Sequence, residues 1–149
     1  MKSTFLAASV AVGVLTICGC SSGNQNSANA TASPALATVT NGEMIFQTGK
    51  DSAGKQITAA KPPLRPSCAA CHNANGSGGV KFKDGAVSAD LRYAALVTKQ
   101  KTPYTLTLLQ RAISTGVDNE GKPLDAVMPH WRLSKTDLHD VAVYVSTLK

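Results

Sequence analysis

The run Cys68-Ala69-Ala70-Cys71-His72 brings two thiols and an imidazole into five residues. Positions i, i+3 and i+4 of a helical turn share one face, so all three side chains can meet a single ligand. A chance match to this pattern in a chain of 149 residues is on the order of 10⁻³ from average composition. Around it lies the composition of one small folded domain. The length favours a single domain, and a hydrophobic content of 43% excludes wholesale disorder. A large multi-domain enzyme is excluded by size. A disulfide-stapled miniprotein is excluded because the other two cysteines, Cys18 and Cys20, lie in a targeting segment. Aromatic residues make up only 5%, so something other than aromatic side chains is expected to fill the centre.

Three chemistries use such a pair of cysteines. A redox-active dithiol needs a βαβ setting, and no run here alternates as a half-buried strand should. A zinc site needs a fourth ligand, which His130 or His139 could supply only by accident. The third is covalent attachment of haem c. Both sulfurs form thioethers with the porphyrin vinyl groups while His72 reaches the iron. Export favours this reading, since closely spaced free thiols oxidise outside the cytoplasm.

A haem held by one histidine has a second axial position, and its occupant decides the function. Met128 lies 56 positions downstream (128 − 72) in Ala126-Val127-Met128-Pro129. Pro129 biases Met128 away from helical geometry and suits a stiff loop holding a side chain in place. The bland alternative is a core-filling methionine. His130 is the rival ligand. Met44 falls in the first helix, and His139 reads as a solvated position in the last one.

Four helical segments surround these residues. The capping box Thr40-Asn41-Gly42-Glu43 predicts a helix start, with Gly42, Ile45, Phe46 and Gly49 on one stripe. A weaker segment runs from Ser88 to about Thr98. The next spans about Thr102 to Thr115, with Pro103 in its first turn and Gly116 ending it. Ser134-Lys135-Thr136-Asp137 caps the last, in which Leu138, Val141, Ala142, Val145 and Leu148 form the apolar face. Gly- and Pro-rich stretches connect them, and no internal repeat is visible. The expectation is an all-α domain of about four helices with long loops.

The N-terminus reads as a targeting device. Lys2 precedes an uncharged apolar run from Phe5 to Ile17, too short to span a bilayer comfortably. It ends in Ile17-Cys18-Gly19-Cys20-Ser21, which resembles a bacterial lipobox with Cys20 as the lipid acceptor. Residues 1–19 are then a lipoprotein signal peptide, 20–39 a Ser/Asn/Ala-rich flexible tether, and 40–149 the folded domain. Lipid anchoring on the periplasmic side of a bacterial membrane follows, without deciding between inner and outer. The alternative is ordinary cleavage after Ala28-Asn29-Ala30, which would give a soluble periplasmic protein.

From Thr40 to Lys149 the chain resembles the class I c-type cytochromes. Gly42 and Phe46 match the family's Gly-x-x-x-aromatic pattern in the N-terminal helix, and Tyr144 matches the aromatic of the crossing C-terminal helix. Residues Asn73 to Gly79 look like the glycine-rich turn after the haem motif. Gly116-Val117-Asp118, Met128-Pro129 and Leu133-Ser134 look like the segment closing over the other haem face. Asn73 departs from the pattern, since many relatives have glycine there. The resemblance implies a small cytochrome c fold around one covalent haem, with His72 and Met128 as axial ligands. It implies an electron carrier with no catalytic site of its own. Trp131 either hydrogen-bonds a haem propionate through its indole N–H or packs half-buried.

Charge points to the partner. Without residues 1–19 the chain has 14 basic and 9 acidic residues, a net charge of +5. Thr40 to Pro103 holds nine basic residues against four acidic, whereas Tyr104 to Lys149 holds five of each. Lysines flanking the haem motif predict docking to an acidic redox protein or membrane electron-transfer complex. Scattered solubilising lysines are the plain alternative. Nucleic acid is not an expected partner. Two other functions compete with a free shuttle: the haem subunit of a larger dehydrogenase or oxidase, and a haem-based gas or redox sensor with a displaceable sixth ligand.

Overall fold

A computed structural model describes the backbone of residues 34–149 and the side chains from residue 40 onward. Cys20, the signal and residues 20–33 of the stretch read as a tether lie outside the described residues. The described chain is mostly helical: α1 (Pro34–Thr48), α2 (Ala69–His72), a π-helical turn (Ala94–Thr98), α3 (Leu106–Thr115) and α4 (Lys135–Ser146). Two short strands, β1 (Thr58–Ala59) and β2 (Trp131–Arg132), pair antiparallel with Ala59 opposite Trp131. The fold is all-α, and these strands are too short for any alternation to show in sequence.

Helices α1 and α4 cross at Gly42. A Cβ there would stand 2.1 Å from the Asp140 carbonyl oxygen and 3.0 Å from Tyr144 Cβ, so only glycine permits the approach. One turn on, Phe46 meets Tyr144 with ring centroids 5.4 Å apart. Ile45, Phe46 and Val141 are sealed inside this crossing. The core continues through Leu96, Leu109, Ile113, Val145 and Leu148.

Helix boundaries follow their caps, with instructive exceptions. Ser134 caps α4 by accepting the Asp137 amide at 3.1 Å. Gly116 ends α3 in the left-handed conformation at φ +68°. By contrast, α1 starts at Pro34, six residues before the Thr40 capping box. Asn41 works between elements instead: its Nδ2 donates to Asp140 at 2.7 Å and Asp137 at 3.0 Å, and its Oδ1 accepts the Ser52 amide. The start expected near Thr102 moves to Leu106, because Thr105 supplies the cap by accepting the Leu108 amide. Pro103 therefore precedes the helix. The segment predicted helical from Ser88 keeps only Ala94–Thr98, because the Ser88 and Leu91 amides donate to Val80 and Gly76 carbonyls in neighbouring loops.

The sequence hid a recurring hairpin. At 49–57, 80–88 and 116–124 the chain makes the same turn. The amides of Asp51, Phe82 and Asp118 bond to the carbonyls of Lys55, Ala86 and Lys122, and Gly54, Gly85 and Gly121 sit at φ +79°, +91° and +86°. This is a three-residue loop that ends in a glycine at positive φ, whose amide returns to the carbonyl three residues before it. In the first and third, Asp51 and Asp118 also accept two loop amides each through Oδ1. Asp-x-x-Gly-Lys at 51–55 and 118–122 is its trace in the sequence.

Candidate haem site

The motif forms the helical turn its spacing predicts. Cys71 and His72 amides both return to the Cys68 carbonyl, at 3.1 and 2.8 Å. Cys68, Cys71 and His72 thereby line one cavity of about 320 Å³, and neither cysteine is in a disulfide. Phe46, Leu96, Leu109, Ile113, Val141 and Val145 give this cavity apolar walls. Met128 lines it too, carried by a loop in which its amide bonds to the Asp125 carbonyl at 2.9 Å.

The loop bearing Met128 is tied down on both sides. Met128 follows the hairpin at 116–124, and beyond it β2 pairs with β1 while the Ala60 amide donates to the His130 carbonyl at 2.8 Å. His130 faces elsewhere: its ring lies where a Cβ on Gly116 would project, 2.1 Å from that position. His130, His139 and Met44 are absent from the cavity lining. Trp131, 4% exposed, lines the cavity and belongs to the core.

Electrostatics sort the possible chemistries. Burial pushes the Cys68 thiol up to about 12, and burial also raises Cys71, with the Arg65 guanidinium pulling the other way. A dithiol exchanger requires a thiol whose pKa is lowered, so this environment does not suit one. Among the described residues, no group of three His, Cys, Asp or Glu side chains could hold a metal ion. His72 is 7% exposed, and burial lowers its pKa, favouring the neutral imidazole. Its Nδ1 lies 2.8 Å from the Ala89 carbonyl, so Nδ1 carries the proton and Nε2 keeps its lone pair for a metal. The donor set facing the cavity is two thiols, a neutral imidazole and a thioether, which fits covalent haem.

Sequence reasoning missed several contributors. Ala89 acts through its carbonyl, which no residue type announces. Phe82, Val87 and Arg65 also line the cavity, two from the second hairpin and one from the proline-rich loop. Arg111 donates through Nη2 to the carbonyl of Asp118, a lining residue. Its Nε is buried with no hydrogen-bond partner among the described residues.

Comparison with curated proteins and with solved structures gave no match. A scan against family models did: residues 52–149, well over half of the chain, match the Cytochrome c family. That span includes the attachment motif, the Ala89 carbonyl behind His72, and Met128. The cavity and its donor set thus agree with the family match, and the chain belongs to the cytochrome c family, binding covalent haem c at Cys68-Ala69-Ala70-Cys71-His72 for haem-based electron transfer.

Proposed function

We propose that this protein is a single-haem electron carrier of the class I type, with His72 and Met128 as axial ligands and no catalytic site of its own. The observation that carries this reading is the cavity shared by the two thiols, His72 and Met128, from which the rival ligand His130 is absent. Haem, once attached, supplies a one-electron iron couple. The protein's residues set its terms. Ala89 fixes the tautomer and orientation of His72, and burial keeps that imidazole neutral. Met128 offers a soft sulfur that raises the potential relative to a second histidine. The apolar walls penalise the additional charge of ferric iron. With His72 and Met128 both holding the iron, no position would be left open to oxygen or substrate. Replacing Met128 with histidine is expected to lower the reduction potential, measured by spectroelectrochemical titration. An unchanged potential would remove Met128 from the iron.

The same reading places the protein outside the cytoplasm, tethered by lipid on Cys20, and meeting an acidic redox protein or membrane complex. Its support is the lipobox-like end of the apolar run and the basic surplus of the N-terminal half. No described helix is long and apolar enough to cross a membrane. Metabolic labelling with a radioactive fatty acid should mark the wild type and spare Cys20→Ser; equal labelling of both would contradict the anchor.

A further inference from the structure

His72, Gly78 and Ala89 form a closed triangle of contacts beside the attachment motif. The Gly78 amide donates to the His72 carbonyl at 2.9 Å. His72 Nδ1–H donates to the Ala89 carbonyl at 2.8 Å. Gly78 closes the figure by packing on that same carbonyl. A Cβ at position 78 would stand less than 3.0 Å from the Ala89 carbonyl carbon and oxygen, and 2.6 Å from the Ser88 oxygen. These are backbone atoms, so no side chain can swing aside to make room. The corners are braced as well. Asn73 Nδ2 holds the Gly78 carbonyl at 2.7 Å, and the Leu91 amide returns to the Gly76 carbonyl at 2.7 Å. The Ser88 hydroxyl accepts the Val80 amide at 2.9 Å, tying the base of the hairpin 80–88 to the residue before Ala89.

We propose that Gly78 is a positioning residue for the iron ligand: its missing side chain lets the Ala89 carbonyl seat on His72 Nδ1–H, and through that bond it holds down the reduction potential. The inference rests on the reading of His72 as an axial ligand. An imidazole that donates through Nδ1 is the more basic at Nε2, and a more basic ligand favours ferric over ferrous iron. A methyl at position 78 has to displace something. The loop bearing it is held to His72 and Asn73 by the bonds above, so the Ala89 carbonyl gives way. That oxygen cannot move further onto the imidazole, because 2.8 Å is already hydrogen-bond length. It leaves the Nδ1–H axis instead, the bond weakens, and the potential rises.

The neighbouring glycine supplies a matched control. Gly79 has φ +83° against +62° at Gly78, yet a Cβ there meets nothing within 4 Å. Gly79→Ala therefore carries the left-handed strain without the contact, and it keeps the amide bonded to the Ser88 carbonyl at 2.9 Å. Spectroelectrochemical titration of the holoproteins should show Gly78→Ala favouring ferrous iron on the order of tenfold more than wild type, about 59 mV upward for one electron. Gly79→Ala should leave the potential unmoved. The His72 Nδ1 proton gives a second readout. Its exchange with deuterium, followed by NMR in the ferrous state, should quicken on the order of tenfold in Gly78→Ala and hold its rate in Gly79→Ala. Should Gly78→Ala fail to fold, Ser88→Ala removes only the tie to Val80 and should shift both readouts the same way by less. Potentials and exchange rates in these variants no different from those of Gly79→Ala would overturn the positioning role and leave His72 on the iron. Ring protons of His72 that lack the upfield displacement of an axial ligand in the ferrous wild type would overturn the ligand reading itself.

Discussion

Asn73 sits at φ 63° and ψ 159°, a region that is essentially glycine's alone. The backbone turns there directly after His72, and the side chain provides the compensation. Its Nδ2 donates to the Gly78 carbonyl at 2.7 Å and to Ser77 Oγ at 3.1 Å, bracing the loop beneath the haem motif. Asn73→Ala would keep the strain and lose both bonds, costing about 2 kcal/mol. Asn73→Gly would lose the bonds but relieve the strain, with a net change within about 1 kcal/mol. Urea unfolding of the two holoproteins checks this ordering. Asp90 gives a residue-scale prediction in pH. The Arg92 side chain, bonded at 2.9 and 2.6 Å, pulls its carboxyl down to about 2. A depressed carboxylate stabilises fully above its ordinary pKa, near 3.9, and loses that contribution as pH falls toward 2. The stability gap between wild type and Asp90→Asn should therefore be present at pH 6 and close by pH 2. Equal gaps at both would contradict the pairing. At this scale the site was legible where side chains line the cavity, as at Cys68, Cys71, His72 and Met128. It was illegible where backbone does, as at the Ala89 carbonyl.

Helix α1 and helix α4 show what an element's sequence does and does not record. The α4 cap is local, with Ser134 and Asp137 three residues apart, and it forms as written. The capping box at Thr40 is equally local yet does not start α1, which begins at Pro34 and runs through it, while Asn41 bonds to Asp137 and Asp140 about a hundred positions away. Ser88 to Leu91 has helical spacing, but its amides are claimed by loops that only the tertiary fold brings near. The hairpin's second copy, Phe82 to Ala86, lacks the Asp-x-x-Gly-Lys trace, so the sequence does not mark the recurrence. The Gly42 crossing was legible, and it yields a sharp expectation. Gly42→Ala would force a methyl against the Asp140 backbone carbonyl, which cannot swing away as a side chain would. Separation of α1 from α4 should cost about 1–3 kcal/mol or more, seen as a lower thermal midpoint of the holoprotein. An unchanged midpoint would mean the helices do not cross at this distance.

Across the whole molecule, the low aromatic content makes sense once haem counts as core. Apolar side chains from α1, the π-helical turn, α3 and α4 converge on the cavity rather than fully on one another. Filling it is expected to stabilise the fold by covalent crosslinking and burial. The Cys68→Ser/Cys71→Ser protein, unable to attach haem, should unfold at lower urea and show weaker helical circular dichroism than the wild type. The central claim is that His72 and Met128 close both faces of that haem, and the visible spectrum of the holoprotein tests it most directly. The ferric protein should show a weak far-red band from methionine sulfur that disappears in Met128→Ala, and the reduced wild type should leave carbon monoxide unbound. A spectrum without that band, in a reduced protein that binds carbon monoxide, would contradict the claim and leave a sensor with an open sixth position.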